Sequence, residues 1–279
     1  MRQIKAEDII LKVSEMCIDA NYNASSELLR SLKNAKANET SKLGVSVLDQ
    51  IILNDEIAIK DQVPMCQDTG MVVAFVEIGQ DVQVVGNLDD AINEGVRKGY
   101  KEGYLRNSVV RHPLDRVNTS DNTPAAIHHK IVPGETLTIT IATKGAGSEN
   151  QSRMVMLKPS DGEQGVKDFI LETVKMAGGK ACPPIILGVG IGGNFEVCTQ
   201  IAKEALMRSM EDTSPDPIAA RLEKELLEAV NELNVGPMGF GGKTTALAVK
   251  VNTFPCHIAA LPVAVNIQCH ASRHVSHTF

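Results

Sequence analysis

Tryptophan is absent from this 279-residue chain, and only three tyrosines and six phenylalanines are present. Aliphatic side chains must therefore supply most of the core. No apolar run approaches the roughly 20 residues of a membrane-spanning helix. The opening residues, MRQIKAEDII, lack the apolar segment of a secretory signal, so a cytosolic protein without membrane contact is expected. There is no C-x-x-C, which argues against a zinc ribbon. A dense Lys/Arg stripe is also missing; with a net charge of −6 and a pI near 5.7, a nucleic-acid partner is not expected. Six cysteines in a chain this long do not make the disulfide framework of a small secreted domain, and reduced thiols are the expectation.

Hydrophobic residues make up 43% and charged residues 22% of the chain, as in ordinary globular proteins. Ile9, Ile10, Val13, Met16 and Cys17 fall at helical spacing, as do Leu28, Leu29 and Leu32, and a third helix is predicted from Lys42 to Ile52. MVVAFVEI, residues 71–78, and ETLTITIAT, residues 135–143, read as strands. Further helices are predicted over 162–177, 195–210 and from Pro217 to Leu233, the last preceded by a hinge at Ser214–Pro217. Strand-like runs return at 246–251 and 261–267. The fold class read from this pattern is α/β (mixed α+β), a helical N-terminal cluster followed by mixed strands and helices, in one catalytic domain over residues 1–279.

Two glycine-rich segments imitate nucleotide-binding motifs. GVGIGG, residues 188–193, fits G-x-G-x-x-G between a strand and a helix, but no second strand ending in an acid follows about 20 residues on. GPMGFGGKTT, residues 236–245, resembles a phosphate loop with one residue too many between Gly236 and Gly242. Its glycines are expected to admit close backbone approach by something other than a nucleotide.

The cysteines fall into two groups. Cys17 and Cys198 share helical faces with apolar neighbours and are expected to pack as small hydrophobes. Cys66 in PMCQDTG, Cys182 in ACPPIILGVGIGG and Cys269 in NIQCHASRH sit at turns or strand edges, where a thiolate can point into a cleft. Cys256, beside His257, is ambiguous. The three turn cysteines lie far apart in sequence, which excludes a local ferredoxin-type loop.

At these residues the chain resembles the alpha subunit of the class I fumarate hydratase and L(+)-tartrate dehydratase family, the iron–sulfur hydro-lyases. The resemblance runs through MCQDTG (65–70), YLRNS (104–108), RVNTSDNTPAAIHH (116–129), KGAGSEN (144–150), CPPIILGVGIGG (182–193), GFGGKTTALAV (239–249) and PCHIAALPVAVNIQCHASRH (255–274). It implies that Cys66, Cys182 and Cys269 hold a [4Fe-4S] cluster whose fourth iron has no protein ligand. It further implies that Gln67, Arg106 and Gly147 bind substrate, and that Asp68 and His257 are catalytic.

Three of these assignments have a structural alternative: an Asx-type turn for Asp68, a hydrogen-bonded imidazole for His257, an ion pair with Asp115 or another carboxylate for Arg106. His128, His129, His270, His274 and His277 are read as surface or structural. Single-chain members of the family continue beyond the point matching Phe279. The resemblance therefore implies a separate beta subunit, with two alpha and two beta chains in the assembled enzyme. The substrate that the resemblance implies is a small dicarboxylate: fumarate, hydrated to (S)-malate as in the tricarboxylic acid cycle, or alternatively L(+)-tartrate. A reading from a different class is a non-catalytic iron–sulfur sensor of iron or redox state.

Overall fold

The computed structural model describes residues 1–279. Its backbone divides into two compact units. The first comprises Met1–Ala24, Glu56–Ala146 and Arg273–Phe279, the second Ser25–Asp55 and Gly147–Ser272. In chain order the elements are β1 (Arg2–Lys5), α1 (Ala6–Tyr22), α2 (Ser26–Asn38), α3 (Lys42–Asp61), β2 (Met71–Gly79), β3 (Val82–Val85), α4 (Leu88–Glu102), β4 (Ala126–Val132) and β5 (Leu137–Lys144). There follow α5 (Ala146–Glu149), β6 (Arg153–Leu157), α6 (Gly162–Ala177), β7 (Ile185–Gly192), α7 (Phe195–Ala205), α8 (Pro217–Glu232), β8 (Ala246–Phe254), β9 (Leu261–Gln268) and β10 (His274–Thr278). The fold is mixed α/β, as the sequence pattern predicts. No helix is long and apolar enough to cross a membrane.

The first unit is built on a four-stranded sheet in the order β10-β5-β2-β4, with β2–β4 parallel and the other pairs antiparallel. Alternate residues of β5, Leu137, Ile139 and Ile141, are fully buried and meet Ile9, Val13, Ile92 and Val96 of α1 and α4. That is the period-2 face of a strand set against the period-3.6 faces of two helices. A short parallel pair, β1–β3, completes this unit. Because β2 and β5 run antiparallel with Met71 opposite Lys144, the residues before β2 and those after β5 emerge at the same end of the sheet.

The second unit holds a sheet in the order β6-β9-β7-β8, with β7–β8 parallel and β7–β9 antiparallel. Its central strand β7 is buried almost throughout, as expected of a strand covered on both faces. Residues of α6 and α8, including Ile170, Val174, Leu222 and Leu226, pack with Leu187, Val249 and Val265 into one core. Ile186 pairs with Gln268, so the segment before β7 and the segment after β9 meet at one end of this sheet. Ser214–Pro217, predicted as a hinge, lies wholly inside the second unit, where the Ser214 N–H is held by Glu223.

Both glycine-rich decoys have structural explanations. A Cβ on Gly188 would lie 2.1 Å from the Ala202 carbonyl, and one on Gly190 would lie 2.2 Å from that of Cys198. These glycines let α7 lie directly on β7, and the G-x-G-x-x-G spacing serves helix packing. In GPMGFGGKTT the group that approaches is the Glu39 carboxylate. It accepts N–H bonds from Lys243 and Thr244 as well as from Thr40 and Ser41, and it lies 2.8 Å from where a Gly242 Cβ would be.

Candidate active site

In the first unit the turn Cys66–Gly70 leads directly into β2. Asp68 forms the Asx-type turn that is its structural alternative: its Oδ1 accepts the Gly70 N–H at 3.0 Å. Its Oδ2 accepts the Ala146 N–H at 2.9 Å, which ties the turn to the segment following β5. Each oxygen keeps a second lone pair. Thr69 then links this turn to the YLRNS segment, its hydroxyl donating to the Arg106 carbonyl at 3.1 Å and accepting the Arg106 N–H at 2.9 Å.

Two fully buried side chains complete the brace. Tyr100 donates to the Thr69 and Gly70 carbonyls, and burial pushes its phenol well above the ordinary range. Asn122, from the third motif, donates to the Gly70 carbonyl and accepts the Ser108 N–H. Three of the seven motifs are thus knitted together at one end of one sheet, carrying Cys66, Gln67, Asp68 and Arg106. Gln67 and Arg106 are exposed. Arg106 makes no ion pair with Asp115 or any other carboxylate, so its guanidinium is available to an external anion.

In the second unit Cys182 precedes β7 in a left-handed conformation, φ 52°, and Cys269 follows β9. Their loops touch: the His270 N–H donates to the Cys182 carbonyl at 3.3 Å. Cys269 receives an N–H from Gln268 Nε2 at its sulfur, 3.4 Å away. Gly147 lies on α5, and a Cβ there would meet nothing nearer than the Lys180 carbonyl, two residues before Cys182, at 3.9 Å. This backbone therefore presents an open face beside the Cys182 loop. The short helix is anchored by Glu149, which pairs with Lys203 at 2.6 Å and accepts from Asn266 at 3.0 Å.

His257 is placed elsewhere in the second unit. It lies between β8 and β9, at the end of the sheet opposite Cys182 and Cys269. Strand β9 is eight residues long, which at about 3.3 Å per residue separates them by roughly 25 Å. Its Nδ1 accepts the Ala259 N–H at 3.1 Å, so the neutral ring carries its proton on Nε2. The ring is exposed. Cys256 is exposed beside it, its thiol directed at the Ala260 carbonyl.

The thiols sort as the sequence predicts. Cys17 and Cys198 are fully buried, and burial pushes their thiols up to about 12 and about 11, which disfavours the thiolate that iron requires. Cys66, Cys182 and Cys269 are half-buried and free of disulfides. Soft sulfur donors at turns, one of them already receiving an N–H bond, suit an iron–sulfur group. No group of three or more His, Cys, Asp and Glu side chains has the geometry of a single-ion site. Sequence reasoning passed over Thr69, Tyr100, Asn122 and Glu149 as functional supports, although Thr69, Asn122 and Glu149 all lie inside recognised motifs.

Comparison with known proteins defines the class as hydro-lyase. A sequence model of the family described as Fumarate hydratase (Fumerase) matches residues 10–278, and the chain belongs to that family. A protein of Methanocaldococcus jannaschii, named provisionally as L(+)-tartrate dehydratase subunit alpha, is 42% identical, with 94% of this chain and 96% of that one covered. The L(+)-tartrate dehydratase subunit alpha of Escherichia coli strain UTI89 is 31% identical over 98% of this chain and 92% of its own. That of Shigella sonnei is 30% identical over the same shares.

Proposed function

We propose that the chain is the alpha subunit of an iron–sulfur hydro-lyase that reversibly hydrates a four-carbon dicarboxylate, fumarate to (S)-malate, in assembly with a beta subunit. The observation that carries this is the Thr69–Arg106 link, which ties the backbone of Arg106, whose exposed side chain makes no ion pair, to the turn that carries Gln67 and Asp68. Arg106 recognises one substrate carboxylate with paired N–H donors. Gln67 offers its amide to the same substrate, and the free lone pairs of Asp68 accept a proton from a carbon-bound or water O–H donor. The exposed backbone at Gly147 admits substrate where a side chain would obstruct it.

Cys66, Cys182 and Cys269 would hold a [4Fe-4S] cluster. When bound, such a group with one iron free of protein ligands supplies Lewis acidity toward the leaving hydroxyl. His257 acts in this reading only if it is supplied by a second copy of the chain, since its own sheet carries it away from Cys182 and Cys269. The word "alpha" in the relatives' names supports a beta partner; two of each chain is the assembly that the family resemblance implies.

The relatives' names favour a second substrate, L(+)-tartrate, which carries one hydroxyl more than malate. Anaerobic reconstitution of the two-subunit complex with iron and sulfide, then assay on both substrates, tests the proposal. About four irons per alpha chain and air-sensitive hydration are expected. A colourless complex would refute the cluster, and an iron-loaded chain that stays active on neither substrate would favour the sensor.

A further inference from the structure

Arg273 is 96% buried, at 4% exposure, and has no carboxylate partner. Its Nη1 donates to Asn21 Oδ1 at 3.0 Å and to the Asp68 carbonyl at 2.7 Å, while its Nε–H is buried without an acceptor. Its Nη2 and Asp68 Oδ2 flank Gly145, at 3.3 and 3.1 Å from where a Cβ would stand. Packing does not account for this residue, because a buried cation that no carboxylate contacts directly is costly and an apolar side chain of similar volume would serve the core better. Its bonds go instead to one place. Asn21, fully buried and fixed to α1 through the Cys17 carbonyl, accepts the Met65 N–H on its own carbonyl at 3.0 Å.

The two residues therefore hold the chain on either side of Cys66, by the Met65 N–H and by the Asp68 carbonyl. Arg273 is itself fixed by the Thr143 N–H on its carbonyl and by the pairing of β10 with β5. We propose that Arg273 and Asn21 form a clamp that positions Cys66 and Asp68, Arg273 acting as a positioning residue for the turn and not on substrate. The inference rests on the reading of Cys66 as a cluster ligand, but the clamp has a readout that does not need the cluster.

The experiment is amide exchange, followed by mass spectrometry on the full chain, alongside iron content after anaerobic reconstitution. Arg273→Met should speed exchange across Met65–Gly70 by at least about tenfold while leaving the β5–β10 ladder protected, and iron per chain should fall. Where Arg273→Met fails to fold, Asn21→Ala removes one acceptor and should loosen the same six residues. Exchange at Met65–Gly70 unchanged in the folded variant, or accelerated equally throughout the sheet, would overturn the clamp. A wild-type chain that takes up no iron would instead overturn the cluster assignment, with exchange still deciding the clamp.

Discussion

Glu39 should be worth several kcal/mol to the fold, and the value should depend on pH. The side chain is 9% exposed and accepts four backbone N–H bonds at 2.8–3.0 Å, from Thr40, Ser41, Lys243 and Thr244. Burial raises its pKa, but the four donors together outweigh it and hold the carboxyl below the usual glutamate range. Glu39→Ala leaves the Lys243 and Thr244 amides without a protein acceptor. A hydrogen bond to a charged group contributes about 1.5–3 kcal/mol, and partial access of water recovers some of that, so a loss of about 3 kcal/mol is expected. For a protein of this size that corresponds to roughly 6–12 °C in Tm.

The sign follows from linkage. A carboxyl whose folded pKa lies below its unfolded value of about 4.3 contributes stability that is complete above that value and is lost as pH falls through the folded one. The gap between wild type and Glu39→Ala in denaturant melts should therefore be full at pH 7 and shrink below about pH 4. Glu39→Gln, which keeps the shape and loses the charge, should show only a slight pH dependence relative to Glu39→Ala. A gap under about 0.5 kcal/mol at pH 7, or one that widens on acidification, would refute the reasoning.

Three other substitutions separate fold from function. Arg106→Ala should leave Tm unchanged, because the guanidinium is exposed and unpaired, while kcat/KM in the reconstituted complex falls at least about tenfold; a lowered Tm with unaltered kinetics would return Arg106 to a structural role. Gly147→Ala meets nothing closer than 3.9 Å and should melt like wild type, yet lose activity if substrate approaches that backbone. Gly188→Ala should do the reverse of a nucleotide-site mutation, destabilising the protein by about 3 kcal/mol or more because its Cβ falls 2.1 Å from the Ala202 carbonyl; a variant of normal stability would contradict the packing of α7 on β7.

The parts of the fold that were legible are those where periodicity and punctuation agree. Helix α6 matches the expected 162–177, bounded by glycines at both ends. Helix α3 runs nine residues past the expected Ile52, because Leu53 and Ile57 are exposed while Asp55 is fully buried, which inverts the pattern that burial normally writes. Helix α7 stops at Ala205 instead of Met210; Arg208 leaves the helical path to pair with Glu223 and the Val251 carbonyl. Helix α4 was not expected at all. It carries Gly95 and Gly99, which weaken a helical pattern, yet a Cβ on either would strike α1, at 2.7 Å from Val13 and from the Ser14 carbonyl.

Of the six thiols, the two packing ones are legible: Cys17 and Cys198 stand at helical spacing among apolar neighbours and are fully buried, while no spacing in the chain decides Cys256. Arg273, Asn21 and Thr69 act through backbone groups brought near by tertiary structure, and no spacing in the chain encodes such a bond. Glycine is the instructive case, because a missing Cβ announces that something comes close without saying what. In GVGIGG the visitor is a helix. In GPMGFGGKTT it is the chain's own Glu39 carboxylate, attached some two hundred residues earlier. A cradle of backbone N–H groups recognises negative charge by geometry, and a carboxylate tethered in the same unit outcompetes any free phosphate by its effective concentration. The glycines therefore mark a close approach, and only the fold says what makes it.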